Sequence, residues 1–266
     1  MQKIRKAVIP AAGRGSRFYP LTRAQPKEML PILDKPVIHF VVEEAVKSGL
    51  DEILIIVGAG KDAIINYFDR HDLDDTMDKY GLRDIPSIYF VRQREQRGLA
   101  DAIRYAKHFT GDDDFVVLLG DTIYVSYDNV TVTSKVLNSY YRYQLPTIAV
   151  EQVPDYKIKD YGIVKCEEKE SGIYKVGQIV EKPEIADAPS NLGITGIYVL
   201  GDYIYDYLDA VYPGKNGELQ LADAYNLLIK KMDVIGAKIE GKRYDIGTKE
   251  MWVRTFVEFA KKEGII

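Results

Sequence analysis

The sequence predicts an α/β fold of three layers, in which helices cover both faces of a predominantly parallel mixed sheet. Three observations carry this expectation. Strand and helix patterns alternate through the first half of the 266-residue chain, as they do when crossover helices join parallel strands. The runs Ile53-Leu54-Ile55-Ile56-Val57 and Phe115-Val116-Val117-Leu118-Leu119 are continuously apolar, the mark of strands buried on both faces. A glycine-bearing turn, Ala11-Ala12-Gly13-Arg14-Gly15-Ser16-Arg17, follows the first short apolar run, at the strand end where open parallel sheets bind ligands.

Ala7-Val8-Ile9 begins the sheet. Pro36 to Gly49 has a helical start and stop and turns Val37, Ile38, Val41, Val42, Ala45 and Val46 inward. Lys61 to Arg70 reads as a second helix and Ser87 to Arg92 as a strand; Leu99, Ala102, Ile103 and Ala106 then share one helical face. Thr147 to Val153 is a further strand. Two runs, Gly162 to Cys166 and Ile173 to Val180, flank Glu167-Glu168-Lys169-Glu170-Ser171-Gly172 and predict a β-hairpin with a charged loop. Gly193 to Leu200 adds another strand. Helices are expected over Asp202 to Val211, Glu218 to Met232 and Thr248 to Glu263. No repeat, low-complexity tract or long linker divides the chain, so residues 1–266 are expected to form a single domain.

Composition narrows the function classes. A net charge of −4 gives no global basic field, so nucleic acid is not an expected partner. Cys166 is the sole cysteine, which excludes an intramolecular disulfide and a cysteine-rich zinc site. His39, His71 and His108 lack metal-ligand spacing and read as surface or filler residues. The opening Met-Gln-Lys-Ile-Arg-Lys lacks the apolar core of a signal peptide, and no run approaches a membrane span. A cytoplasmic protein with no membrane partner is the expectation.

Gly13 and Gly15 let the backbone turn tightly and approach a ligand, while Arg17, Arg23 and Lys27 set cations beside its amides. That combination suits polyphosphate. A dinucleotide-binding turn would carry a third glycine where Arg17 stands, which favours a triphosphate and weighs against a nicotinamide-dependent oxidoreductase. Asp121, at the end of the second apolar run, either holds Mg²⁺ together with substrate phosphates or caps the next turn. Asp245, before the last helix, is either a second carboxylate for that ion or a helix-start charge. Glu181 and Lys182 end a strand, where alternation points them to opposite faces. They suit sugar hydroxyls and a sugar phosphate, or form a solvated pair closed by Pro183. Gln93 offers a donor and an acceptor to a pyrimidine edge, and Gly98 lets a base lie against backbone; a polar loop at a helix start accounts for the same residues.

In order, these pieces resemble the sugar-phosphate nucleotidyltransferases over nearly the whole chain. The most specific are Gly13 to Arg17 and Pro26-Lys27-Glu28-Met29-Leu30-Pro31 with Asp34-Lys35-Pro36, which is similar to the branch that uses UTP and glucose 1-phosphate. Tyr161-Gly162, Glu181-Lys182-Pro183 and Ala188-Pro189-Ser190-Asn191-Leu192 follow in that branch's order. The resemblance implies a Rossmann-like nucleotidyltransferase fold, with residues 1–146 mainly binding nucleotide and 147–266 mainly binding sugar phosphate and supplying the C-terminal helices. It implies that Ala12, Gly13, Gly15, Ser16, Arg17 and Lys27 contact the nucleotide and its phosphates, and that Gln93 and Gly98 read the pyrimidine. Gly162, Glu181 and Lys182 would hold the sugar phosphate, Asp121 and Asp245 a Mg²⁺, and Arg17, Lys27, Asp121 and Lys182 would carry catalysis. The implied reaction joins UTP and α-D-glucose 1-phosphate into UDP-glucose and pyrophosphate, in a homo-oligomer (dimer or tetramer).

Two departures limit the choice between UTP and the dTTP used by a related branch. The stretch His71 to Pro86 is shorter than in typical bacterial uridylyltransferases, and Gly120-Asp121-Thr122-Ile123 and Gly217-Glu218-Leu219-Gln220 resemble thymidylyltransferases. A non-catalytic nucleotide-sugar-binding regulator is the alternative from another class. Such a protein need not keep Arg17, Lys27, Asp121, Lys182 and Asp245 together.

Overall fold

A computed structural model describes residues 3–69, 87–214 and 217–266. Strand β1 (Lys6–Ala11) leads into the glycine turn and three 3-10 turns at Ser16–Phe18, Leu21–Arg23 and Lys27–Met29. A two-residue ribbon, β2 (Pro31–Ile32) and β3 (Lys35–Pro36), delivers the chain to α1 (Val37–Lys47). There follow β4 (Glu52–Val57), α2 (Asp62–Phe68), β5 (Ser87–Arg92), α3 (Leu99–Arg104), α4 (Lys107–Thr110), β6 (Phe115–Leu118) and β7 (Thr122–Ser126). Next come α5 (Val132–Tyr143), β8 (Thr147–Gln152), β9 (Gly162–Glu170), β10 (Ile173–Glu181) and β11 (Leu192–Leu200). The chain closes with α6 (Ile204–Asp209), α7 (Leu221–Leu228), β12 (Val234–Lys238), β13 (Gly241–Asp245) and α8 (Lys249–Lys262).

Among the described residues nine strands form one sheet in the order β5-β4-β1-β6-β11-β8-β12-β10-β9. β11 and β10 run antiparallel to their neighbours, and the other strands of that sheet share one direction. Side-chain alternation along each strand sorts the core into two faces. Val8, Leu54, Ile56 and Val117 pack with Ile103, Leu208 and Tyr225 of α3, α6 and α7. Ile9, Ile53, Ile55 and Val116 pack on the other face with Val42 of α1 and Val136 of α5. The result is the expected three-layer α/β arrangement around a mostly parallel mixed sheet.

Several elements depart from the sequence reading. Helix α5 has no counterpart in it, because its Ser, Thr, Asn and Tyr residues dilute a stripe of Val132, Val136, Leu137 and Tyr140; Thr131 caps it by accepting from the Ser134 N–H at 3.1 Å. The charged segment Glu167–Glu170 continues strand β9 and is not a loop. Ser171-Gly172 alone makes the turn, with Gly172 at φ 77°. The helices expected over 202–211 and 218–232 contract to α6 and α7. Arg70, His71 and the short 71–86 stretch lie outside the described residues. Among the described residues no helix is long and apolar enough to cross a membrane.

A separate apolar cluster joins the opening loop to the end of the chain. Phe18, Leu30, Ile32 and Val37 pack with Ile123, Tyr244 and Ile246 and with Trp252, Phe256 and Phe259 of α8. Thr248 starts α8 by accepting from the Met251 N–H at 3.2 Å. A second tie crosses the molecule at Gly98, where φ is 109° and an added Cβ would stand 2.5 Å from the Leu219 carbonyl oxygen. Around it the Leu219 N–H donates to Arg97 O at 2.6 Å and the Ala100 N–H to Leu219 O at 3.1 Å. Gly98→Ala should therefore destabilise the protein by roughly 1–3 kcal/mol, combining an unfavourable backbone conformation with a backbone clash. An unchanged urea unfolding midpoint would show that the 219 segment yields at no cost.

Candidate active site

The strand ends beside the glycine turn open into a cavity of about 740 Å³. Ala12, Gly13, Gly15, Ser16, Arg17 and Lys27 line it from the first half of the chain, as do Gln93, Gly98 and Asp121. Gly162, Glu181, Lys182 and Asp245 line it from the second half. Arg23, grouped with these cations on sequence, sits exposed in its own 3-10 turn and is not among the lining residues. The glycines differ in what they do. Gly13 faces open space, with nothing within 4 Å of the missing Cβ, whereas Gly15 adopts φ 64° with Thr22 3.0 Å from where its Cβ would be.

The two aspartates meet because two distant strands pair. β7 and β13 form an antiparallel ribbon in which Thr122 faces Asp245, and the Ile246 N–H donates to Asp121 O at 2.9 Å. Asp121 accepts a hydrogen bond from the Lys27 ammonium. Burial works against ionisation of Asp121, but the attraction of Lys27, with a smaller part from Arg17, holds its carboxyl below the ordinary value. Asp245 moves the opposite way: burial and then the neighbouring Asp121 charge push it up.

Asp245 is positioned by residues to which the sequence pattern assigns no role. The Tyr161 hydroxyl donates to Asp245 Oδ2 at 3.0 Å. The Arg243 guanidinium stacks 4.4 Å from the centre of the Tyr161 ring, and its Nη1 lies 3.8 Å from Asp245. Glu151 anchors that guanidinium by accepting from Nε at 2.7 Å, with Nη2 at 2.5 Å. A signal for Arg243 is present in the sequence, since positions two apart on a strand share a face.

Lys27 is aimed in a similar way. On the same 3-10 turn, buried Glu28 accepts from the ammonium of Lys61, itself buried, at 2.6 Å. Burial raises the Glu28 carboxyl above its usual value despite Lys61 and Lys27. A buried pair is costly to break from one side. Lys61→Met should destabilise by about 3–5 kcal/mol, and Lys61→Met with Glu28→Leu should recover most of the loss. Equal urea stability of the single variant and the parent would show that the pair anchors nothing.

At the Glu181 and Lys182 end of the cavity the structure corrects one expectation. Glu181 and Lys182 do not point to opposite faces: both line the cavity, with Lys182 Nζ 3.3 Å from Glu181 Oε1. The cause is the backbone. Lys182 lies just past β10 with φ 45°, which breaks strand alternation, and its N–H donates to Tyr161 O at 3.1 Å. Gly162 makes room for the acid, since a Cβ there would stand 3.1 Å from Glu181 Oε2. Gln93, which also lines the cavity, donates from Nε2 to buried Asp101 at 2.7 Å.

Residues 6–262 match the nucleotidyl transferase family, and the chain belongs to that family: it is a nucleotidyltransferase. Its relatives narrow the class further. It is 43% identical to a UTP–glucose-1-phosphate uridylyltransferase of Staphylococcus epidermidis, over 99% of this chain and 94% of the relative. A Staphylococcus saprophyticus enzyme of the same name is 44% identical, over 98% and 94%. Among solved structures, UDP-glucose pyrophosphorylase complexed with UDP-glucose superposes with a TM-score of 0.93 at 36% identity, covering 98% of this chain and all of that one (100%). A UTP-bound UGPase from Acinetobacter baumannii gives a TM-score of 0.87 at 33% identity, over 98% and 94%.

Proposed function

We propose that this chain transfers the uridylyl group of UTP to α-D-glucose 1-phosphate, forming UDP-glucose and pyrophosphate. The observation that carries the reading is a single cavity with two cationic ends. The glycine turn with Arg17 and Lys27 forms one end, Lys182 beside Glu181 the other, and Asp121 and Asp245 stand in the same cavity. In this reading residues 1–146 mainly hold the nucleotide and 147–266 mainly hold the sugar phosphate. Whole-length identity to UTP–glucose-1-phosphate uridylyltransferases supports the choice of substrates.

The two carboxylates fit Mg²⁺. They form a hard oxygen donor set, and the effect of Asp121 on Asp245 marks a place where added positive charge is favourable. Among the described residues no third acid, histidine or cysteine joins them, which suits an ion that completes its shell with phosphate oxygens and water. Bound there, the ion would neutralise charge on the reacting phosphates.

The chain's own residues supply position and charge. Lys182 would hold the sugar phosphate, which is already ionised at neutral pH and needs no general base. One of its oxygens attacks the α-phosphorus in line, a new P–O bond forms, and the bond to the β-phosphate breaks to release pyrophosphate. Arg17 and Lys27 would take up the charge of that leaving group. Lys27 is oriented in advance by Asp121, so little reorganisation is needed as charge develops.

A pyrophosphate-release screen of UTP and dTTP against hexose 1-phosphates should show the highest turnover with UTP and glucose 1-phosphate, and none once EDTA removes divalent metal. Preference for dTTP would move the chain to the thymidylyl branch. The added methyl is worth only ~1–3 kcal/mol to a pocket. Lys182→Ala should raise KM for glucose 1-phosphate roughly 10- to 100-fold, the value of a lost charge-assisted hydrogen bond, with KM for UTP nearly unchanged. Equal losses for both substrates would remove Lys182 from the acceptor site.

A further inference from the structure

Gln93 is held at both ends of its residue. Its backbone N–H donates to Val57 O at 2.9 Å, which fixes it just past β5. Its side-chain Nε2 donates to Asp101 Oδ2 at 2.7 Å, and both side chains are buried. The other oxygen of Asp101, Oδ1, faces two guanidinium groups, with Arg97 Nε at 3.7 Å and Arg104 Nη1 at 3.9 Å. A carboxylate flanked in this way accepts hydrogen bonds and donates none. Only the nitrogen end of the Gln93 carboxamide can therefore turn to Asp101. The oxygen end is left for a ligand in the cavity that Gln93 lines.

We propose that Asp101 is a positioning residue for base selection: by fixing which end of the Gln93 carboxamide meets the base, it makes the site accept the imide N3–H of uracil or thymine and refuse cytosine. The proposal rests on the reading of Gln93 as the residue that faces the pyrimidine. Uracil and thymine carry a donor at N3, which matches an amide oxygen. Cytosine carries an acceptor at N3, which an amide oxygen repels. A lone glutamine could rotate to suit either base, because its two ends are nearly the same size. Pinned by an acceptor-only partner, it cannot.

The test uses Asp101→Asn in the full-length enzyme. The two arginines would draw the asparagine oxygen to their side and leave its NH₂ toward residue 93. The Gln93 carboxamide must then turn over and present its own NH₂ to the base. The ratio of kcat/KM for UTP to that for CTP, with glucose 1-phosphate as acceptor, should fall at least about tenfold, chiefly through a gain with CTP that a loss of stability could not produce. An unchanged ratio in the folded variant overturns the proposal. Should that variant not fold, Asp101→Ser removes the pin without replacing it, and the ratio should fall without favouring CTP; a ratio held at the parent value again overturns it. Gln93→Leu separates this proposal from the reading beneath it. If Gln93→Leu leaves the UTP to CTP ratio intact, Gln93 does not face the base and both fail. If that ratio collapses while Asp101→Asn leaves it alone, only the role of Asp101 fails.

Discussion

The pairing of β7 with β13 is the constraint on which the site depends. Asp121 and Asp245 are remote in sequence, and neither belongs to the nine-stranded sheet. Their meeting is set by five residues of antiparallel register that place Asp245 opposite Thr122, closed by the hydrogen bond from Ile246 N–H to Asp121 O. A one-residue slip would turn Asp245 to the other face of the ribbon. What prevents the slip is burial. Ile123, Tyr244 and Ile246 are locked into the cluster beneath α8, and a shift would expose them. The same cluster holds Phe18 and Leu30, so the glycine turn and Lys27 are fixed to the frame that fixes the carboxylates.

The charges around the cavity are organised in chains, each ending in a group that faces the cavity. Glu151 holds Arg243, which flanks Asp245 together with Tyr161. Lys61 holds Glu28, whose turn presents Lys27 to Asp121. Arg97 and Arg104 flank Asp101, which holds Gln93. Buried charges demand partners, and here each partner also removes a freedom of rotation from the residue that faces the cavity. Orientation and electrostatic compensation come from the same contacts.

How much of this is legible in the sequence follows from the range of each interaction. The apolar runs of β4 and β6 declare themselves because burial on both faces leaves no room for polar residues. The glycine turn, Asp121, Lys182 and Asp245 can be singled out as candidates from their residue types and places in the chain, but their chemistry alone leaves a capping or solvated reading open, and the resemblance to the family chooses between the two. Helix α5 stays hidden because its buried stripe includes Thr133 and Tyr140 beside Val132, Val136 and Leu137, which blurs the apolar periodicity. The Lys182 geometry stays hidden because a left-handed residue at the end of a strand has no signature when it is not glycine or asparagine. Lys61 and Asp101 are invisible for a different reason: each acts through a neighbour, and a supporting charge looks like any surface charge until the fold buries it.

Lys27 and Lys182 show how the fold distributes rigidity between the two ends of the cavity. Lys27 is largely buried and bonded to Asp121, while the Lys182 side chain is about half exposed (49%), with its ammonium 3.3 Å from Glu181 Oε1. On the roles proposed, the first meets a pyrophosphate whose position is dictated by in-line departure, and the second meets a sugar phosphate arriving from solvent. A fixed cation is the better catalyst where charge develops at a known point, since nothing must reorganise. A cation open to solvent is the better receptor where a ligand must first be captured from solution. The left-handed backbone at Lys182 suits capture, because it brings the ammonium round to the Glu181 side of the strand end. From there the ammonium is open both to solvent and to the cavity that Lys182 lines.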